Sequence, residues 1–196
     1  MLIDISQEVF SCNVFPGDEK PERRTMKDMA KGDLYNLTCL SMCAHNGTHV
    51  DAPYHFIRNG RTIDRMGLEP FVGDCYVARH DGDVRAEDAE MILRKAEEAG
   101  AGKRILVAGK ATVTEAAAQV FADAGILLLG NESQTVGPEK APMKVHLILL
   151  GNECVLLEGV VLDGVEEGKY FLNAAPLNLG GSDGAPCRAY LMDHRE

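Results

Sequence analysis

The sequence predicts a mixed α/β fold, and three observations support this class. Its 196 residues favour a single domain over residues 1–196, and a hydrophobic content of 45% is enough to bury a core. In the middle of the chain, short apolar runs alternate with segments of helical periodicity. A strand–helix–strand–helix–strand order of this kind is typical of a parallel or mixed sheet that is covered by helices.

The N-terminal part should contain two strands separated by irregular chain. Apolar and polar residues alternate at 2–5, which predicts a short first strand, and residues 34–42 are predicted to form a second one. Between them, residues 11–33 are rich in charge and contain a Pro-Gly-Asp turn at 16–18. We therefore expect irregular structure in that interval.

The remaining elements follow in order along the chain. We predict strands at 73–79, 104–108, 126–129, 154–161 and 189–192, and helices at 86–99, 112–124 and 142–150. The second helix should begin at a capping box from Thr112 to Glu115, with Gly125 as its stop. His194 lies among charged residues at the end of the chain, and we expect it to be solvated.

The charge balance excludes some classes of partner. The chain has 20 Lys and Arg residues against 30 Asp and Glu residues, a formal net charge of −10, which opposes binding to nucleic acid or to an anionic membrane. No apolar stretch reaches the ~18 residues that a membrane helix needs, and the N-terminus lacks the features of a signal peptide. The six cysteines form no Cys-x-x-Cys pair. We therefore expect reduced, mostly buried thiols and a cytoplasmic protein, whereas the net charge says little about a small-molecule substrate.

One short segment concentrates groups that can bind a metal. Three of the six histidines lie within this segment, together with one carboxylate: His45, His49, Asp51 and His55. All four have odd numbers, so in an extended segment their side chains would point to the same face. Gly47 and Pro53 argue against a continuous helix.

Imidazole nitrogen and carboxylate oxygen are ligands that suit zinc, manganese and iron. A polar loop with scattered histidines is the simpler interpretation, but chance does not readily produce such clustering. We therefore predict a metal site, in which Cys43, two residues before His45, is a less favoured ligand. His55 would be either a ligand or a free acid/base beside the metal.

The same residues resemble a family signature. The run from His45 to His55 matches the pattern H-x-G-T-H-x-D-x-P-x-H at every fixed position, and this pattern is the signature of the cyclase family. That family includes the bacterial kynurenine formamidases (arylformamidases) and related metal-dependent hydrolases. The resemblance implies a swivelling β/β/α fold, with a barrel-like mixed sheet and packed helices, and assembly as a homodimer or homotetramer.

Two anomalies further along the chain suggest the rest of the metal shell. His146 is the one polar residue in the apolar run from Val145 to Leu150, and Glu158 interrupts an apolar strand. A lone histidine is usually a satisfied core residue. A buried, unpaired glutamate, however, is costly unless it meets a cation or is protonated.

The resemblance implies a role for each of these residues. His45, His49 and Asp51 would hold one ion. Asp51 and Glu158 would bridge to a second ion, which His146 would also bind, and His55 would be the general acid/base. We expect zinc first and manganese second, with one or two ions per subunit.

Three further parts of the chain have more open interpretations. Phe15 stands where kynurenine formamidases typically have a Trp that contacts the aromatic substrate, and it could stack on a ring. Asn131, Glu132 and Ser133 follow a predicted strand and are either site residues or a polar loop. Arg188 lies in a C-terminal segment that also resembles the family, and we expect it to form a salt bridge.

Together these groups have the parts of a metallo-amidase. A bound divalent metal lowers the pKa of water from ~15.7 to about 7, and an imidazole exchanges protons near neutral pH, so His55 could pass a proton to the leaving nitrogen. The resemblance implies hydrolysis of N-formyl-L-kynurenine to kynurenine and formate in tryptophan catabolism. The alternatives are hydrolysis of another cyclic amide, lactone or ester by the same fold, and a metal-binding module without turnover.

Overall fold

The computed structural model describes residues 1–193, and the solvated tail predicted at His194 lies outside them. Within this range the strands are β1 (Leu2–Asp4), β2 (Glu22–Lys27), β3 (Leu37–Ser41), β4 (His49–Asp51), β5 (Val72–Arg79), β6 (Gly82–Val84), β7 (Arg104–Ala108), β8 (Ala111–Val113), β9 (Leu128–Asn131), β10 (Val155–Glu158), β11 (Gly168–Asn173), β12 (Gly184–Pro186) and β13 (Tyr190–Met192). The α-helices are α1 (Ala86–Glu98), α2 (Glu115–Asp123) and α3 (Met143–Gly151). None of these described helices is long and apolar enough to cross a membrane.

Nine strands form one mixed sheet in the order β1-β13-β11-β5-β7-β9-β10-β4-β12. Its centre is parallel, since β5, β7, β9 and β10 run in the same direction. The strands on either side of this centre pair antiparallel. The sheet curls like half of a barrel and carries the three helices, which confirms the predicted mixed α/β class with a barrel-like sheet.

The central strands are buried on both faces. On β7, Ile105 and Val107 belong to one apolar cluster, whereas Leu106 and Ala108 belong to another. Side chains alternate between the two faces of a strand, so these clusters lie on opposite faces of the sheet. The first cluster also contains Phe121 of α2, so helices cover that face.

The expectation of irregular structure over residues 11–33 is wrong, because β2 lies inside that interval. β2 pairs antiparallel with β3 in a separate two-stranded sheet. Every residue of both strands is exposed, so the sequence of β2 shows no alternation of apolar and polar residues. This strand is defined by backbone hydrogen bonds to β3, and these bonds do not depend on residue type.

Two predicted boundaries are also wrong. Thr112 does not begin the second helix, because it lies in β8, which pairs with β6. Thr114 is the N-cap instead, and its hydroxyl accepts a hydrogen bond from the backbone N–H of Ala117 at 3.2 Å. The strand predicted at 126–129 lies two residues later, because its pairing with β7 and β10 begins at Leu128.

Candidate metal centre

The histidine-rich segment lies in the sheet beside the strand that carries Glu158. β4 pairs with β10 so that His49 is opposite Glu158, and on its other side β4 pairs with β12, where Gly184 is opposite Asp51. His49 and Asp51 are two residues apart in one strand, so their side chains project from the same face. Helix α3, which precedes β10, brings His146 to the same place.

Turns on either side of β4 position the other two histidines. We considered an extended segment from His45 to His55, but only its centre, His49–Asp51, forms a strand. His45 precedes a turn at Gly47, whose φ of +68° favours glycine, and Pro53 begins a 3₁₀ turn that ends at His55. The rings of His45 and His55 nevertheless stack, with centroids 4.1 Å apart.

Backbone carbonyls orient two of the histidines. The Nδ1–H of His49 donates to the carbonyl of Gly47 at 2.9 Å, and the Nδ1–H of His146 donates to the carbonyl of Pro142 at 3.0 Å. A carbonyl can only accept, so both rings carry a proton on Nδ1 and turn Nε2 towards the neighbouring carboxylates. Metal-binding histidines are commonly held in this way through the ring nitrogen that does not bind the ion.

The Nε2 atoms of these two histidines face Asp51 and Glu158. His146 Nε2 lies 3.2 Å from Glu158 Oε1 and 3.6 Å from Asp51 Oδ2. His49 Nε2 lies 3.4 Å from Asp51 Oδ1 and 3.5 Å from Glu158 Oε2. None of the four side chains is more than 3% exposed, so this is a buried cluster of two imidazoles and two carboxylates.

The geometry of the cluster fits a divalent metal ion. Among the described residues, His49 Nε2 and Asp51 Oδ2 are buried without a hydrogen-bond partner, which is costly unless another group satisfies them. Nitrogen and oxygen donors of this kind suit zinc and related ions. Donor atoms within 4.8 Å of one another form two sets that share Asp51: His45, Asp51 and His55 in one, and His49, Asp51 and Glu158 in the other.

Asp183 joins the cluster from the loop before β12. His45 lies between two carboxylates, with Nδ1 2.8 Å from Asp51 Oδ1 and Nε2 2.9 Å from Asp183 Oδ2. His55 Nδ1 lies 3.1 Å from the same Asp183 oxygen, and His55 Nε2 lies 4.0 Å from Asp51 Oδ2. The sequence reasoning missed Asp183, and its one signal was a single carboxylate within the glycine-rich run 180–184.

Charge pairing shifts the pKa values of the cluster in opposite directions. Burial lowers the pKa values of His45 and His146, but hydrogen bonds to carboxylates outweigh burial and raise both pKa values to about 10. Burial also lowers the pKa of His49, but the neighbouring carboxylates of Asp51 and Glu158 outweigh burial and raise it to about 9. Burial raises the pKa of Asp51, but the three histidines that face it, His146, His45 and His49, hold it well below its usual range. An ion that binds these imidazoles therefore competes with protons.

The cluster forms part of the wall of an open cavity of about 490 Å³. Phe15 and Phe56 also line it, and the ring of Phe56 lies 4.7 Å from that of His146. Gln134 and Thr135, from the loop after β9, also line the cavity, and the sequence reasoning missed both. A cavity of this size with aromatic walls is suited to a small molecule that carries a ring.

Other residues considered from the sequence have structural roles. Asn131 is buried and donates to two backbone carbonyls, and Glu132 accepts hydrogen bonds from two backbone N–H groups. Arg188 pairs with Asp4, which confirms the predicted salt bridge. Cys43 lines the cavity but belongs to neither donor set. The six cysteines are free thiols, and only two of them are buried, so the expectation of mostly buried thiols is wrong.

Comparison with known proteins relates the whole chain to one group of enzymes. A family model described as "Putative cyclase" matches residues 3–138. A kynurenine formamidase of Salinibacter ruber is 34% identical to this chain, over 98% of the chain and 97% of that protein. A kynurenine formamidase of Delftia acidovorans is 30% identical, over 97% of the chain and 96% of that protein.

Solved structures agree with the fold. A protein described as a potential metal-dependent hydrolase with cyclase activity has a TM-score of 0.84 and 25% identity, over 100% of this chain and 99% of that one. Isatin hydrolase A from Labrenzia aggregata has a TM-score of 0.82 and 21% identity, over 100% of this chain and 94% of that one. At 21% identity, the similarity to isatin hydrolase A shows a shared fold.

Proposed function

The chain belongs to the cyclase family, and we propose that it is a metal-dependent amide hydrolase of the arylformamidase type, formed by one domain over residues 1–196. In this proposal water splits N-formyl-L-kynurenine into kynurenine and formate. The observation that carries the proposal is the convergence of buried nitrogen and oxygen donors from β4, α3 and β10 on the wall of one cavity. The similarity to two kynurenine formamidases along nearly the whole chain supports the same activity.

We assign the metal-binding role to five side chains: His45, His49, Asp51, His146 and Glu158. Zinc is the first candidate and manganese the second, because both accept imidazole and carboxylate ligands. One or two ions are compatible with the geometry, since Asp51 belongs to both donor sets. When bound, a divalent ion polarises a carbonyl group and makes water acidic enough to ionise near neutral pH.

His55 is the proposed general acid/base. Its Nδ1 lies 3.1 Å from Asp183, so the carboxylate would keep a proton on that nitrogen and leave a lone pair on Nε2. Its side chain is 27% exposed and lines the cavity, whereas those of His49 and His146 are buried. Nε2 could take a proton from the attacking water. It could then give that proton to the amide nitrogen as the carbon–nitrogen bond breaks.

The test is release of formate from N-formyl-L-kynurenine by protein reconstituted with zinc or with manganese. We expect turnover with at least one of these metals and none after chelation. Absence of formate with both metals would refute the proposed activity, and a protein that binds zinc without turnover on any amide would be a metal-binding module.

His55→Ala tests the assigned role of that histidine. The variant should lose turnover and keep its metal, as measured by elemental analysis, because another set of side chains would hold the ion. His80→Ala is the matched control, since His80 is outside the cavity lining and should keep both properties. Loss of metal from His55→Ala would instead make His55 a ligand, because His55 also belongs to one donor set.

A cyclic amide, lactone or ester is the second candidate substrate, and the presence of Phe15 supports this alternative. Phe15 lines the cavity at the position where kynurenine formamidases typically have the larger Trp, so the aromatic wall offers less contact to a long substrate. Opening of a lactam uses the same water and the same proton transfer. Comparing kcat/KM for N-formyl-L-kynurenine and for a benzo-fused lactam decides between the two.

The β2–β3 hairpin supports assembly into a homodimer or homotetramer. Both strands are exposed throughout, and Met26, Leu34, Leu37 and Leu40 present large apolar side chains to solvent. An isolated two-stranded hairpin is marginally stable in water, and exposed apolar groups of this kind mark interaction surfaces. Light scattering after size-exclusion chromatography measures the assembly, and Leu37→Lys should shift it towards the monomer.

A further inference from the structure

A tight turn places a carboxylate beside an aromatic ring at the cavity. The backbone N–H of Asp18 donates to the carbonyl of Phe15 at 3.1 Å, which closes a four-residue turn. Pro16 fixes its own φ, and Gly17 has a φ of +105°, a combination typical of a type II turn. Because both ends of the turn line the cavity, Phe15 and Asp18 are held on the same wall.

The carboxylate of Asp18 differs from the other carboxylates that line the cavity. Glu158 and Asp183 each lie against histidines, so their charges are compensated within the cluster. Asp18 is exposed, and its side chain has no hydrogen bond or ion pair within residues 1–193. No lysine or arginine occurs among the described residues that line the cavity.

One uncompensated negative charge therefore remains at the cavity, in a chain whose formal net charge is −10. Such a charge attracts a cationic group and repels an anionic one, and the effect is strongest for groups within a few ångströms. A substrate with an anionic substituent would also find no lysine or arginine in the described part of the lining to receive it.

We propose that Asp18 determines specificity by favouring substrates that carry an ammonium group on the part of the molecule remote from the scissile amide. Phe15 packs against the aryl ring, and Asp18 meets the ammonium group at the rim. The inference rests on the proposed amidase function, and it extends that function from one named compound to a class, the aryl amides with a cationic side chain. N-formyl-L-kynurenine, as an amino acid, carries such an ammonium group together with a carboxylate, so compounds with a single charge are needed to separate the two effects.

The test uses three formanilides that differ only in a meta substituent: aminomethyl, hydroxymethyl or carboxymethyl. At pH 7 these carry a positive, a neutral and a negative group. The measured quantity is the ratio of kcat/KM for the aminomethyl compound to kcat/KM for the hydroxymethyl compound, with zinc-loaded protein at low salt. An exposed ion pair changes an equilibrium constant by about twofold to fivefold, so we expect a ratio of about three, with the carboxymethyl compound poorest.

Substitutions at Asp18 should change the ratio in a defined order. Asp18→Asn should bring it to about one, and Asp18→Lys should invert the preference so that the carboxymethyl compound becomes the best of the three. Glu19→Gln is the matched control, because it removes the same charge from the next residue, which does not line the cavity. High salt should reduce the wild-type ratio towards one, since salt screens exposed charges.

Binding of the aniline products, measured by calorimetry, gives the same comparison without turnover. A ratio that is the same in wild type, Asp18→Asn and Asp18→Lys would overturn the role of Asp18 while leaving the amidase intact. Absence of turnover on all three formanilides and on N-formyl-L-kynurenine would refute the amidase. The affinities for the three aniline products would then test the charge preference by themselves. If each product bound equally well to the wild type and to Asp18→Lys, the charge preference would be refuted.

Discussion

Removing the metal should make the protein less stable as the pH rises above neutrality. The pKa values of His45, His49 and His146 are raised from 6.5 to about 10, 9 and 10 by their carboxylate partners. A group with a raised folded-state pKa stabilises the fold fully below its unfolded pKa, and this contribution is lost as the pH rises to the folded pKa. The loss therefore falls between pH 6.5 and about 10. Asp51 and Glu158, whose pKa values are lowered, contribute stability that is lost only on the acid side.

The size of this loss follows from the pKa shifts. One pKa unit corresponds to about 1.4 kcal/mol, so a histidine with a folded pKa near 9 loses about 3 kcal/mol of stabilisation between pH 6.5 and 9. The three histidines share the same carboxylates, so their contributions overlap, and we expect a total of roughly 3–5 kcal/mol. For a chain of this length, each kcal/mol changes Tm by about 2–4 °C, which makes the expected decrease roughly 10 °C.

Thermal unfolding of chelator-treated and zinc-loaded protein from pH 6.5 to 9 measures this loss. Zinc needs neutral imidazoles, so its stabilising effect should grow over the same interval in which the metal-free protein weakens. His146→Asn should reduce the pH dependence of the metal-free protein, and His80→Asn should leave it unchanged. A metal-free Tm that stays constant or rises over this interval would refute the reasoning.

The remaining predictions concern single side chains. Glu158→Gln should weaken zinc binding by more than the roughly 10–100-fold that is lost when a residue supporting a ligand is replaced, because an amide cannot supply the negative charge. Titration against a chelating dye measures the affinity, and an unchanged affinity would exclude Glu158 as a ligand. Asp183→Asn should lower kcat by about tenfold to a hundredfold with the metal content preserved, because Asp183 orients His55; an unaltered kcat would remove that role. Gly184→Ala should lower the free energy of unfolding by about 1–3 kcal/mol, because a Cβ there would lie 2.6 Å from a backbone carbonyl oxygen and 2.8 Å from a ring carbon of His45. A Tm equal to that of the wild type would show that the strand shifts to make room for the Cβ. Phe15→Trp should lower KM for N-formyl-L-kynurenine by about threefold through a larger aromatic contact, and a raised KM would argue for a smaller substrate.

Local pattern was sufficient for most secondary structure. The three helices and the buried strands β5, β7, β9 and β10 follow from the spacing of apolar residues, because each of these elements buries a face against the core, whereas β6, β11 and β12 are not predicted by it. β2 could not be predicted in this way, since none of its residues is buried and only pairing with β3 defines it. The start of α2 was ambiguous for a related reason. Thr112 and Thr114 are both acceptable caps, and the pairing of β8 with β6 decides between them.

The sequence by itself determined which chemical groups the protein can use. Residue type is a local property, so two features were visible without coordinates. One is the concentration of imidazoles in a single segment, and the other is the presence of two polar residues, His146 and Glu158, in apolar surroundings. The tertiary structure alone decided how these groups combine. Pairing of β4 with β10 sets His49 opposite Glu158, and the loop before β12 brings Asp183 to His45 across 138 positions of the chain. Distances between such atoms depend on strand order and register, which arise from packing of the whole chain and are not encoded in any one segment.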